Sequence, residues 1–555
     1  MRARIEDGVV HSPFPAVDIP CCSVYEAAKE ALLRNPDKLA LKLCISGNTR
    51  KTNITQVDGT TVVTRGELFG RMARYAAGFQ KHGLGPGHRV CVHVGNSVDN
   101  FAAMWGCVFA GASVMLAKTS LTERELRYQL SDSDSTHVLT EPAYAEKTTK
   151  AAASLQIKGF FATGPAEGFV STAAFRDQDE ATFREVPVQD PRSCVLSICY
   201  TSGTTDLPKG VVSTHYGFLA NIATEGPCLC WEESDVVLVA SPITHASGLV
   251  FITVGVLLGA AVVMVSPGAN LERISHLVCK YKVTTLSVLP GHLSSLVAEM
   301  QRTRKSLDGV RRINLSGGAF PETARRIAQA MFNDLKCVLY MYAMTESMGV
   351  LCSPSIHAAQ GTDVGFPAPW SQIKIVDMVT RQKLGPNQTG EICFRTPTMF
   401  KEYHNRPKET AGMFDEDGWC KSGDAGYYDE DGRLFFVQRL KEMIKCMDNQ
   451  VVPAELEELI LQEHTEHISE VAVVGLPHPQ YGEAPAAALV LKEHSGTKYD
   501  PVDLSKKIKA TIADNLAVHK NLHGGVFFLD SLPKTETGKV SRTTLAQACA
   551  ARCAC

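Results

Sequence analysis

What the 555-residue chain lacks narrows its function first. It has no excess of positive charge, because 56 Lys and Arg stand against 59 Asp and Glu, for a net charge of −3. A protein that works by gripping nucleic acid needs a basic face, so that class is set aside, although a local basic site is not. Nor is it poor in apolar residues, as a disordered chain must be: 45 % are hydrophobic and 21 % charged. The first residues carry Glu6 and Asp7 and no apolar run. No secretory leader is therefore expected, the expected location is cytoplasmic, and most of the 18 cysteines are expected as free thiols. Cys549, Cys553 and Cys555 have no accompanying His or CxxC pair and read as a frayed terminus rather than a metal clip. The closing Cys-Ala-Cys resembles a double-prenylation ending without a matching context, and the end is not Ser-Lys-Leu, the simplest peroxisomal address. Internal repeats and low-complexity linkers are also missing.

One stretch lacks charge altogether, Ala246 to Pro267, and is long enough to be weighed as a membrane span. It contains Gly248, Gly255 and Gly259, ends in the β-branched Val262, Val263 and Val265, and has no Lys/Arg cluster on either flank. A buried helix over Leu249 to Leu258 that turns at Gly259 into a buried strand is the expectation, with no integral membrane segment.

What is present is a rhythm. Helical patterns over Thr64 to His82, Ser97 to Phe109 and Glu123 to Leu130 alternate with strand patterns over Arg89 to Val94, Gly111 to Leu116 and Thr136 to Thr140. It returns further on, with helices over Ser275 to Tyr281, Leu293 to Gln301 and Thr323 to Phe332 and strands over Thr284 to Leu289 and Arg312 to Ser316. Such alternation implies βαβ units on a parallel sheet. From about Gln372 the texture changes to short strands with turn signals, including Gly390 to Arg395, as in a β-rich subdomain. After the Gln438–Arg439 junction comes a compact α+β stretch. The fold class expected is α/β: a large N-terminal domain, 1–438, of parallel-type αβ sheets plus a β-rich subdomain, followed by a small mobile α+β domain, 439–555.

The strongest local signal is Ile198 to Gly210, ICYTSGTTDLPKG. A strand ends at Tyr200, and Thr201, Ser202, Gly203, Thr204, Thr205 and Lys209 follow. Hydroxyls and backbone N–H groups suit phosphate oxygens, and a Lys adds charge. Pro208 stands where a Walker A loop needs Gly, so this is another kind of phosphate loop or a Ser/Thr-rich surface loop.

The loop resembles the signature of the adenylate-forming superfamily: acyl-CoA synthetases, 4-coumarate–CoA ligases, firefly luciferases and peptide-synthetase adenylation domains. Further blocks match in order: Leu315 to Pro321 (LSGGAFP), Tyr342 to Glu346 (YAMTE), Gly418 to Asp424 (GWCKSGD), Arg439 to Lys445 (RLKEMIK), Val452 to Glu457 (VPAELE) and Pro533 to Lys539 (PKTETGK). The resemblance runs over roughly residues 60 to 545 and is nearest to the 4-coumarate–CoA ligase and luciferase-like branch.

It implies an ATP-dependent acid–CoA ligase. A carboxylic acid, fatty or otherwise hydrophobic, would become acyl-AMP, and coenzyme A would then take the acyl group, with Mg²⁺ on the phosphates. By the same resemblance the hydroxyl loop, Lys209, Gly318 and Ala319 meet ATP. Tyr342 stacks on adenine, Asp424 accepts from the ribose, and Arg439 supports the nucleotide. Thr345 lies near the α-phosphate and Glu346 holds the metal. His245, Ser247, Gly317, Met341 and Ala343 shape the acid pocket, with His245 gating the carboxylate. Lys539 contacts the carboxylate and α-phosphate. Lys445 serves the thioester step from the opposite face of the small domain, so rotation about the 438–439 hinge would join the half-reactions. Taken singly, Glu346 reads equally as a helix N-terminal acid, and Lys539 as an exposed Lys in a polar turn.

The chain departs from the family pattern at several places. Asp206 and Asp448 stand where Gly is usual, and Gln438 replaces the hinge Asp. Met341 and Ala343 replace the glycines flanking Tyr342, and Ala246-Ser247 follows His245 where luciferases carry an aromatic. A narrower, aliphatic-leaning pocket is expected. The alternatives are a luciferase-like monooxygenase acting on an acyl-adenylate, or a catalytically weakened acyl- or nucleotide-binding homologue. A carrier-loading domain is disfavoured, because only 16 residues follow Lys539 in the 555-residue chain. The oligomeric state is left open.

Overall fold

The computed structural model describes residues 1–44, 61–201, 207–266, 269–317, 322–355, 363–447, 449–492, 500–535 and 539–553. Ser202, Gly203, Thr204, Thr205, Asp206, Gly318, Ala319 and Asp448 lie outside the described residues.

Among the described residues the large N-terminal body is built on three sheets and the C-terminal part on a fourth. The first is 8-stranded, with Arg89–His93, Ser113–Leu116, His137–Thr140 and Val195–Tyr200 running parallel at its centre. The second is 9-stranded, with Val236–Val239, Ala261–Val265, Thr285–Val288, Arg312–Ser316 and Cys337–Met344 as its parallel core. These strands are almost wholly buried, as the apolar runs required, because helices cover them on their faces.

The β-rich region expected from Gln372 is a 6-stranded antiparallel sheet. Two of its strands were not expected: Arg4–Glu6 and Val9–His11 form a hairpin, and His11 pairs with Gln372. Its last strand, Leu434–Arg439, carries the Gln438–Arg439 junction at its end. Gln438 is buried and donates through Nε2 to Glu442 at 2.9 Å.

The uncharged stretch folds as a buried helix, Ala246–Leu258, and a strand, Ala261–Val265. Gly259 makes the turn between them at φ +98°, a conformation that L side chains rarely adopt. Among the described residues no helix is long and apolar enough to cross a membrane.

The C-terminal part places helices Pro453–Glu463 and Pro501–Asn515 on a 5-stranded sheet whose longest strands are Ile468–His478 and Gly482–Leu491. The frayed terminus is corrected here. Arg542–Cys553 is a helix, and Leu545 and Cys549 share one face and bury fully against Val474, Ala486 and Leu532. Among the cysteines, Cys21, Cys230 and Cys279 are exposed, while Cys228, Cys352, Cys446 and Cys549 are buried.

Candidate active site

A cleft of about 1730 Å³ opens where the large body meets the C-terminal part. Its position follows from topology. Ser113–Leu116 and Val195–Tyr200 run parallel in neighbouring positions, so Lys118 and Thr201 emerge together beyond their carboxyl ends. That is the side on which parallel sheets receive ligands. Cys337–Met344 brings Tyr342, Thr345 and Glu346 to the same place, and the antiparallel strands Cys420–Tyr428 and Leu434–Arg439 add the paired Asp424 and Arg439.

Asp424 is nearly buried between two partners. The Tyr342 hydroxyl donates to Oδ2 at 2.7 Å, and Arg439 Nε lies 3.7 Å from Oδ1. Burial raises the Asp424 carboxyl above its ordinary value, against the pull of Arg439 and of the tyrosine. Glu346 sits in a one-turn helix, Thr345–Ser347, and accepts from the Tyr403 hydroxyl at 2.6 Å through Oε1. Lys209 Nζ stands 5.4 Å from the centre of the Tyr403 ring. The Lys209 N–H donates to Thr201 Oγ1 at 3.3 Å.

His245 caps the helix Ala246–Leu258. Its Nδ1 accepts from the Ser247 N–H at 3.3 Å and lies 2.8 Å from Ser247 Oγ. This assigns the ring proton to Nε2, the nitrogen left for a ligand. Burial, together with Lys118 and Lys539, lowers its pKa to about 3, so the ring is neutral. Met341 and Ala343 line the cleft with Val250 and Phe251, and Met341 is 1 % exposed. Gly317 has φ +84°, and a Cβ there would stand 3.9 Å from Lys539 Nζ.

Lys539 reaches into the cleft. Burial lowers its pKa to about 8, reinforced by Arg439 and Lys118 and opposed by Glu442 and Asp424. Lys445 is not brought there: it lies exposed on strand Ile444–Cys446, and its N–H donates to Glu483 at 2.7 Å.

Sequence reasoning missed Lys118 and Tyr403. Lys118 carries a faint signal, a cation just beyond a buried strand of a βαβ rhythm. Tyr403 carries none, because its role depends on the strand Glu402–Tyr403 pairing with Gly210–Thr214 across the chain.

Thr201 and cations gathered at strand ends, with a carboxylate on a short turn, suit an enzyme that handles a nucleotide phosphate. Residues 29–404 match the family model for AMP-binding enzymes, and residues 455–539 match that for the AMP-binding enzyme C-terminal domain. The chain belongs to this family, in the acid–CoA ligase branch, and is an ATP-dependent acid–thiol ligase by class. It is 32 % identical over 509 residues to 4-coumarate–CoA ligase 5 of Oryza sativa subsp. japonica, covering 89 % of this chain and 92 % of that protein. It is 30 % identical over 554 residues to 4-coumarate–CoA ligase 3 of Arabidopsis thaliana, covering 97 % and 93 %. The fold is that of ATP-bound MatB from Rhodopseudomonas palustris (TM-score 0.82, 24 % identity, covering 94 % of this chain and 98 % of that one). It is also that of the anthranilate CoA ligase AuaEII with anthranoyl-AMP (TM-score 0.83, 21 % identity, covering 97 % and 99 %).

Proposed function

We propose that the protein activates a hydrophobic carboxylic acid with ATP and transfers the acyl group to coenzyme A. In the first half-reaction a carboxylate oxygen bonds to the α-phosphorus and pyrophosphate leaves, giving acyl-AMP. In the second the CoA thiol displaces AMP, giving the thioester. The first step brings an anion to a polyanion, so positioning and positive charge do most of the catalysis. The observation that carries the reading is Lys539, held in the cleft with Arg439, Lys118 and His245 around it.

Lys539 then neutralises the acid's carboxylate as it meets the phosphate, and Thr345 donates to the same phosphate. His245 donates from Nε2 to the bound acid. Lys209 and the hydroxyl loop hold the outer phosphates, and Asp424 and Arg439 hold the ribose side. With its hydroxyl on Asp424, Tyr342 offers the nucleotide base only the cleft-facing side of a buried ring. A single carboxylate suits Mg²⁺, which keeps several waters and leans on substrate phosphates. Glu346 would hold it through Oε2, since Oε1 already accepts from Tyr403, and the ion would supply charge neutralisation on the phosphates. Val250, Phe251 and Met341 favour an apolar acid. Two domains, 1–438 and 439–555, account for the two lysines: rotation about the junction would withdraw Lys539 and present Lys445 for the thioester step.

The test is pyrophosphate release with a panel of acids, with and without CoA. Acid-dependent release without CoA, followed by thioester on its addition, is expected. Release that no acid stimulates would reject the proposal.

A further inference from the structure

The cleft holds a cation to which the reaction above gives no task of its own. Lys118 follows the strand Ser113–Leu116, is half-buried and lines the cleft with Thr201 and His245. Its Nζ has no hydrogen bond or ion pair among the described residues. Other cations of the same cleft are paired: Arg439 faces Asp424, Lys534 faces Glu470 and Arg542 faces Glu457.

The sheet decides where Lys118 points. Leu116 pairs in register with Cys199 on the neighbouring parallel strand, and both side chains bury in one core. Met115 and Ile198, one residue back on each strand, bury together in another. Side chains two apart along a strand share a face, and neighbouring strands lie about 5 Å apart. Lys118 and Thr201 therefore leave the sheet side by side, on the face of Leu116 and Cys199. Both chains stay extended to that point: the Ala117 N–H donates to the Val92 carbonyl at 2.9 Å and the Thr201 N–H to the Lys209 carbonyl at 3.0 Å. The turn after Lys118 is held by Lys147 Nζ, which donates to the carbonyls of Thr119 and Leu121, each at 2.8 Å. The ammonium is thus carried on a backbone set before any ligand arrives.

A half-buried cation without a partner has lost part of its hydration and gained no countercharge, so a bound anion completes it. Lys118 depresses the His245 ring more than Lys539 does, which sets its ammonium on the His245 side of the cleft. In the reaction above the acid's carboxylate and the α-phosphate already have Lys539 and His245. The outer phosphates have the loop that begins at Thr201, the residue beside Lys118. As the carboxylate oxygen bonds to the α-phosphorus, the bond from that phosphorus to the bridging oxygen breaks. The electron pair stays on that oxygen as a new charge on pyrophosphate, and no proton moves. A cation fixed there counts for more in the transition state than before it.

We propose that Lys118 is a catalytic residue that donates to the pyrophosphate end of ATP and stabilises the charge that develops there as the α-phosphorus bond breaks. The proposal rests on the acid–CoA ligase reading and deepens its first half-reaction. Once pyrophosphate has left, Lys118 has no charge to stabilise, so the thioester step proceeds without it.

The experiment uses full-length protein and an acid that stimulates pyrophosphate release. Adenylation is followed forward by that release and backward by ATP formation from supplied acyl-AMP and pyrophosphate. Lys118→Met should slow the forward step by about 10²-fold and raise KM for pyrophosphate in the backward step by about 10-fold or more. KM for the acid, and thioester formation from supplied acyl-AMP, should stay as in wild type. Lys118→Arg, which keeps the charge, should recover part of both losses. In wild type, pyrophosphate together with AMP should shield Lys118 from an amine-acylating reagent, read by peptide mass spectrometry, and this arm stands even should Lys118→Met fail to fold. A Lys118 that reacts as fast with pyrophosphate as without it overturns the proposal. So does a folded Lys118→Met with unchanged KM for pyrophosphate, or one altered only in KM for the acid, which would assign the cation to the acid's carboxylate. Equal losses in both half-reactions would make Lys118 a structural residue and overturn it too. These results leave the ligase reading intact, whereas release that no acid stimulates in wild type removes that reading and this proposal with it.

Discussion

At the mouth of the cleft Lys118, Lys209, Arg439 and Lys539 converge on Glu346 and Asp424, whereas its floor is Val250, Phe251, Met341 and Met348 around Glu225. The mouth is assembled from residues far apart in the chain, at strand ends and in the turn before the last helix. The floor comes mainly from two helices and one strand of the large body. The contrast separates two tasks. Charge is gathered at one end of the cleft, on strands and short turns. Shape is held by packed elements, where a methylene more or less is felt.

The sharpest way to break this division is at Lys539. Lys539→Ala should slow acyl-AMP formation by about 10²-fold or more, while thioester formation from supplied acyl-AMP survives. With its pKa lowered to about 8, wild-type kcat/KM for adenylation should fall as pH rises past that value, because the cation is lost. Lys539→Arg, which stays charged, should move that fall to higher pH. Equal loss in both half-reactions would mean that the lysine supports the fold instead.

Lys445→Ala should do the reverse, slowing acyl transfer to CoA by about 10-fold or more with pyrophosphate release unchanged. Stopped assays of each half-reaction check it. A variant with both steps intact would remove the second face from the account.

On the floor, Met341→Ala should raise kcat/KM for bulky aromatic acids about 5- to 10-fold relative to aliphatic ones by widening the slot. It should also lower the melting temperature, since truncating a buried Met costs about 2–5 kcal/mol. An unchanged ratio would mean that another wall sets the width.

The smallest effect concerns stability. Glu225 has a folded-state pKa of about 8 against an ordinary 4.5, so above 4.5 the unfolded chain releases a proton that the folded chain retains. Wild-type stability should therefore fall between about pH 4.5 and 8. Glu225→Gln should escape this, melting a few degrees above wild type at pH 8 with the gap closing in acid. Parallel melting curves across that range would show no widening if the carboxyl is ionised in the fold.

Much of the frame was legible because its signals are local. The strand Arg312–Ser316 and the turn at Gly259 follow from neighbouring residues alone. The hairpin Arg4–Glu6 and Val9–His11 was not, since three-residue strands carry no period and acquire meaning only beside Gln372–Val376. The helix Arg542–Cys553 was hidden for the same reason: a small apolar face becomes a signal only once Val474 and Ala486 are there to cover it. In the site, motif blocks pointed to Lys539, Asp424 and Glu346, while Lys118, Tyr403 and Glu225 are set by tertiary neighbours that no short pattern encodes.

The buried cysteines turn the chain into its own unfolding reporter. Cys228 and Cys352 lie in the large body, Cys446 and Cys549 in the C-terminal part, and all four are shielded from solvent. A thiol reagent added in excess should consume Cys21, Cys230 and Cys279 at once and reach the others only through opening. The order in which Cys549 and Cys352 are then modified records which part of the molecule opens first, with no label beyond the sulfur already present.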